Sequence, residues 1–219
     1  MTQDLKDEAL EQIELDVKFG FENEQQIFEG LEDMFYEEDD IDEEWLKQTI
    51  HQQYNQHQKE ALQWAKPTGF DKLAKAFDQL IAQKIVCLHN AGYTKQDGAG
   101  DCMETIERLE ELGVKANGFC YYHSQDLARA IDPNTRNLYL GFDSVTQNDD
   151  EALQVAQMII AAVTENGLQV NWPGTVTQRL EIVNIDWKKI PDDEEWGAER
   201  VIQMLTKPRS DQKPFWKLW

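Results

Sequence analysis

The chain has 219 residues, 41% apolar and 10% aromatic, and a formal net charge of −21. That length supports one sizeable domain, or a core of ~150 residues with an appendage, and seven tryptophans argue against disorder. So large an acidic excess repels the phosphates of nucleic acids and of anionic membranes, so neither is expected as a partner.

No basic segment followed by an apolar one opens the chain, and no run of about 18 apolar residues occurs. Three cysteines (Cys87, Cys102, Cys120) without an export signal read as reduced thiols, so a cytoplasmic protein is expected. The charge is uneven: residues 1–66 hold 19 acids against five Lys or Arg, a net −14. Such a face keeps a protein soluble or attracts a basic partner.

Leu5, Ala9, Ile13 and Val17 recur at helical spacing, as do Ile27, Leu31, Met34 and Phe35 beyond the break at Gly20 and Phe21. Ile41, Trp45 and Ile50 mark a third helix leading toward Leu62 and Trp64 before Pro67. Residues 1–66 are therefore read as an acidic helical region.

Residues 67–187 read as an α/β core. Thr68 caps a helix with Phe70, Leu73, Phe77 and Leu80 on its buried face, and Ile85–His89 follows as a strand. The stretch Thr94–Asp101 reads as a turn, and Asp101 with Glu104 as the capping box of the next helix. A strand over Gly118–His123, a short helix capped by Ser124, a strand at Leu138–Leu140 and a long helix over Asp149–Asn166 come next. Leu168–Trp172 and Arg179–Ile185 read as a final hairpin turned at Pro173-Gly174. The order predicts an α+β fold, with the helical region followed by a ferredoxin-like (split βαβ) sandwich of about five strands; a small doubly wound sheet is the competing topology. Residues 188–219 read as an aromatic-rich tail packing on the core, with one short helix near Glu194–Leu205 and further tryptophans at Trp216 and Trp219.

The stretches Thr68–Phe77, Gly118-Phe-Cys-Tyr-Tyr-His123-Ser-Gln125-Asp126, Leu138–Phe142 and Gly167–Gly174 resemble an uncharacterised bacterial family, a domain of unknown function. The resemblance covers roughly residues 67–187 and implies a fold without an established activity. Many members carry a cysteine cluster just after the first core strand, where this chain reads Cys87-Leu-His-Asn-Ala-Gly-Tyr93.

Chemistry-bearing groups are few. Cys87, His89, Cys102, Cys120 and His123 suffice in number for zinc, but Cys120 and His123 differ by an odd number along a strand and no CxxC spacing occurs, so no metal is expected. No cofactor fingerprint or hydrolase motif is present. His123, Gln125 and Asp126 sit at a strand-to-helix junction, where a capped helix start is the commoner meaning and a base oriented by a carboxylate the alternative. Two readings stay open. One is a protein-binding or regulatory module, monomeric or weakly dimeric, whose acidic face at Glu37, Glu38, Asp39, Asp40, Asp42 and Glu43 meets a basic protein. The other is a small-molecule-binding or hydrolytic domain using the pocket near His123 and Asp126.

Overall fold

A computed structural model describes residues 1–38 and 40–207; Asp39, Trp216 and Trp219 lie outside the described residues. Helix α1 (Gln3–Phe19) starts where the Thr2 hydroxyl accepts from the Leu5 N–H and stops at Gly20, whose φ of 75° is left-handed. Helix α2 (Glu24–Met34) opens on an Asn23/Gln26 capping box, and α3 (Glu43–Ala61) on the Asp42 carboxylate. Their apolar stripes meet in one cluster of Ala9, Ile13, Val17, Ile27, Phe28, Leu31, Phe35, Leu46 and Ile50. Met34 and Leu62, expected on the apolar faces, are exposed, Leu62 because it lies past the end of α3.

The remaining elements are α4 (Gly69–Ile81), β1 (Ile85–Leu88), α5 (Lys95–Glu111), β2 (Gly118–Tyr121), α6 (Ser124–Ile131), β3 (Leu138–Ser144), α7 (Asp149–Glu165), β4 (Gln169–Asn171), β5 (Leu180–Val183) and α8 (Ala198–Thr206). The fold is α+β, a helix-rich start followed by an α/β region around a five-stranded mixed sheet. Among the described residues no helix is long and apolar enough to cross a membrane.

The split βαβ arrangement requires correction. The strand order is β1-β2-β3-β5-β4, and β1 bonds directly to β2 in parallel, Cys87 opposite Cys120, so no strand separates them; every other pairing is antiparallel. Both faces of the sheet are covered. A side chain at Gly118 would run into Val155 of α7, whereas Tyr121, on the opposite face, lies against Gly98 of α5. The reason is in the residues: Ile85–Leu88 and Gly118–Tyr121 are buried at every position, the pattern of strands covered on both faces.

The stretch from Thr94 to Asp101 is also corrected, from a turn to the opening of α5. Thr94 and Asp97 form the capping box three residues apart, so the helix begins at Lys95. Two glycines are thus carried within a helix, for different reasons. Gly98 is required because a Cβ there would collide with the Tyr121 ring, while one at Gly100 would meet nothing within 4 Å. Helix propensity alone favours alanine at both by ~1 kcal/mol. We therefore expect Gly100→Ala to stabilise the protein by roughly 0.5–1 kcal/mol and Gly98→Ala to destabilise it by about 1–3 kcal/mol, read from urea unfolding midpoints; stabilisation by both would contradict the close packing of α5 on β2.

Candidate functional site

Because β1 and β2 run parallel, the loops that follow them emerge at one edge of the sheet, where α5 and α6 begin. The loops are tied together. Ala91 N–H donates to the Tyr122 carbonyl (2.8 Å), Ser124 N–H to the Gly92 carbonyl (3.2 Å), and the Ser124 hydroxyl lies 3.1 Å from both Asn90 Oδ1 and the Gly92 carbonyl. Asn90 holds the turn with a φ of 47°, a left-handed conformation that asparagine tolerates better than most residues.

At the start of α6 the N-cap position is His123, without a side-chain cap, and the Ser124 hydroxyl is spent on the neighbouring loop. His123 and Asp126 do come together. His123 Nε2 lies 2.9 Å from Asp126 Oδ2, and Arg179, at the start of β5, reaches the same oxygen at 2.7 Å. Arg129 reaches Oδ1 at 3.3 Å. Asp126 is fully buried and His123 nearly so. Burial holds the His123 imidazole below its ordinary range, with the Asp126 carboxylate pulling up and Arg179 and Arg129 pushing down. Arg179 Nη1 also lies 3.2 Å from His123 Nε2, so that nitrogen is shared between the guanidinium and the carboxylate, and Nδ1 is buried without a partner among the described residues. His123 and Asp126 thus tie α6 to β5, and neither lines either of the two neighbouring clefts.

Two clefts open beside this cluster. The first, about 180 Å³, is lined by Gln12, Leu15, Asp16, Phe19, Phe21 and Glu22 from the helical region and by Asn90, Tyr93, Ser124, Gln125 and Ala128 from the α/β region. Of the three residues expected in a pocket, only Gln125 lines it. Inside, the Gln12 amide donates to both Asp16 oxygens at 2.9 and 3.0 Å. Burial pushes the Asp16 carboxyl up to about 6, with the Gln12 bond opposing and the Glu22 charge adding; Glu22 is raised by burial as well. The second cleft, about 200 Å³, lies between α5 and α8 at the end of β1, and Asn90 lines both.

The acidic turn between α2 and α3 is exposed at Glu37, Glu38, Asp40, Asp42 and Glu43. Several of its carboxylates have local work. Asp42 caps α3, Glu43 pairs with Lys47 at 2.9 Å, and Glu37 accepts from the Tyr36 hydroxyl at 2.6 Å. The three cysteines are free and buried, and burial raises the Cys87 and Cys102 thiols well above their ordinary range. Among the described residues no group of three or more His, Cys, Asp or Glu is arranged to hold a metal.

The model of a family described as a domain of unknown function (DUF6891) matches residues 2–191. The chain belongs to this family. No curated protein and no solved structure matches it. The DUF6891 match is wider than the core stretches that resemble the family in sequence, because it takes in the acidic helices α1 to α3 along with the sheet. Every residue lining the first cleft falls within it.

Asp16 and Glu22 carried no signal in the sequence. Each is one acid among 19 in the first 66 residues, and nothing local distinguishes the two that share a cleft wall with distant loops. We expect Asp126→Ala to cost about 1–3 kcal/mol, because it removes the buried acceptor shared by a buried histidine and two partly exposed arginines, and Gln125→Ala to cost under about 0.5 kcal/mol. Denaturant unfolding measures both; a loss below about 1 kcal/mol for Asp126→Ala would remove the structural role assigned to the cluster.

Proposed function

We propose that this protein binds a small, amine-bearing cation in the cleft between α1 and the start of α6. The observation that carries the reading is Asp16, a half-buried carboxyl raised by burial in a solvent-reachable cleft, with the charge of the exposed Glu22 adding to it and no Lys or Arg paired to either among the described residues. A buried, uncompensated carboxylate is costly, and one kept at an opening suits a counter-ion supplied by a ligand. Phe19, Phe21 and Tyr93 add aromatic surface to the same walls, and the Gln12, Asn90 and Gln125 amides add hydrogen-bonding groups. The volume of about 180 Å³ is below the roughly 300 Å³ at which drug-sized sites begin, so the ligand is small. The acidic field of the chain concentrates cations around it. Binding fits better than hydrolysis, since the one hydroxyl nucleophile at hand besides Tyr93, that of Ser124, is bonded to Asn90 and Gly92 and has no base beside it.

The reading that a basic protein docks on Glu37, Glu38, Asp40, Asp42 and Glu43 draws support only from their exposure. Helix capping and local pairing already account for several of them.

The cation reading fixes a pH dependence. The folded-state pKa of Asp16, about 6, lies above its ordinary 3.8, so the folded protein holds a proton that the unfolded chain gives up. Stability is therefore full below about pH 4 and is lost as pH rises through about 6, by up to about 3 kcal/mol at two pKa units. Asp16→Asn should recover most of that loss at pH 7.5 and none at pH 4, as thermal melts would show. Methylamine, ethanolamine and putrescine titrated calorimetrically should bind the unmodified protein at pH 7.5 and weaken about tenfold per unit below pH 6. Asp16→Asn should abolish the binding. Amine affinity that is independent of pH, or retained in the variant, would overturn the reading.

A further inference from the structure

The second cleft contains a polar atom that the fold leaves unused. His89, at the end of β1, is 6% exposed, and its ring is wedged between Phe77 (4.6 Å between centroids), Phe70 (5.4 Å) and Trp196 (5.4 Å). Its Nδ1 lies 2.9 Å from the Tyr122 hydroxyl. The Asn90 N–H interacts with that phenol oxygen; on that ground we assign the phenol proton to the bond with Nδ1 and the imidazole hydrogen to Nε2. Nε2 has no partner among the described residues, and His89 lines the cleft. Burial, with Arg200 and Lys189 adding, holds the imidazole well below its ordinary range. The ring thus stays neutral, with a fixed N–H at the opening.

The surroundings of that N–H divide by charge. Gly197 and Ala198 bring the amino end of α8 to the cleft; the Gly197 N–H donates to Glu195 Oε1 at 2.9 Å, and the N-cap makes no side-chain bond to the first-turn N–H groups beyond it, which favour an anion. Arg108, held by Glu199, lines the same groove. Against these stand two carboxylates of α5 on one helix face, Asp101 and Glu104. Burial, followed by the charges of Glu104 and Asp97, raises the Asp101 carboxyl; neither Asp101 nor Glu104 has a salt-bridge partner among the described residues. A simple anion would meet these carboxylates, and a simple cation would leave the imidazole N–H and the α8 end unmet.

We infer that the groove between α5 and α8 binds a small zwitterion of amino-acid size, its carboxylate taken by His89 Nε2–H beside the amino end of α8 and its ammonium group by Asp101 and Glu104. The cleft volume, about 200 Å³, suits a molecule well below drug size. The site adjoins the Asp16 cleft at Asn90 but takes its ligand-facing groups from other residues, so it does not rest on the cation reading.

The test uses the full chain with isotope-labelled histidine, in the unmodified protein and in Asp16→Asn. Glycine and L-alanine are the probes, with acetate and methylamine as half-ligands. The expected result is a saturable shift of the His89 Nε2 resonance with either amino acid, in both backgrounds, and a shift at least tenfold weaker with either half-ligand. Affinity should fall at least tenfold in Glu104→Gln and in His89→Phe. Should His89→Phe fail to fold, Asp101→Asn, at an exposed helix position, supplies the second variant, with the same tenfold loss expected. No shift with either amino acid, an equal shift with acetate alone, or unchanged affinity in the carboxylate variants would overturn the inference.

Discussion

The arrangement of both clefts rests on a lysine inside an aromatic cage. Lys189 is 3% exposed, and its Nζ sits 5.0 Å from the Phe21 ring centre, 4.8 Å from Phe70 and 5.1 Å from Trp196. The ammonium bonds Asp192 at 3.1 Å and the Ile190 carbonyl at 3.2 Å. Burial lowers its pKa while Asp192 opposes the shift, so the ion is retained by partners rather than by water. A desolvated cation over an aromatic face is worth about 2 kcal/mol, which offsets part of the several kcal/mol that burying the charge costs. The rings it gathers come from three parts of the chain. Phe21 walls the first cleft, and Phe70 and Trp196 fix the imidazole of the second.

The segment around Lys189 also straps the helical region to the sheet. Trp187 Nε1–H donates to the Phe19 carbonyl at 3.3 Å, His57 Nε2 lies 2.8 Å from the Lys189 carbonyl, and Gly69 N–H donates to the Asp186 carbonyl at 2.8 Å. Gly20 approaches the Lys189 backbone so closely that no side chain fits there. The left-handed glycine that ends α1 therefore serves the long-range contact as well as the helix. The same strap explains why α1 can form one wall of a cleft whose other wall is the start of α6.

The two clefts flank Asn90 and differ in what the fold leaves unsatisfied in each. In one, a carboxyl pair lacks a cation; in the other, an imidazole N–H and a helix amino end face two carboxylates across a groove. By contrast the cluster of His123, Asp126, Arg179 and Arg129 is nearly saturated internally, so its burial reads as cohesion.

The residues by themselves determined the local features. The stripes of α1, α2 and α4, the cap at Thr68, the stop at Gly20 and the α+β class follow from spacing and from hydrogen bonds that span three or four residues. Tertiary structure decided the rest. Helix α5 starts two turns before the position that Gly98 and Gly100 suggest in the sequence, because Gly98 answers to a ring on strand β2 rather than to a loop. His123 and Asp126 were legible as neighbours, but the arginine that closes the pair lies 53 residues beyond Asp126. Asp16 owes its raised pKa to burial beneath loops some 75 to 110 residues away. Strand order, desolvation and charge pairing depend on which distant segments exclude water from a group, and no periodicity along the chain records that.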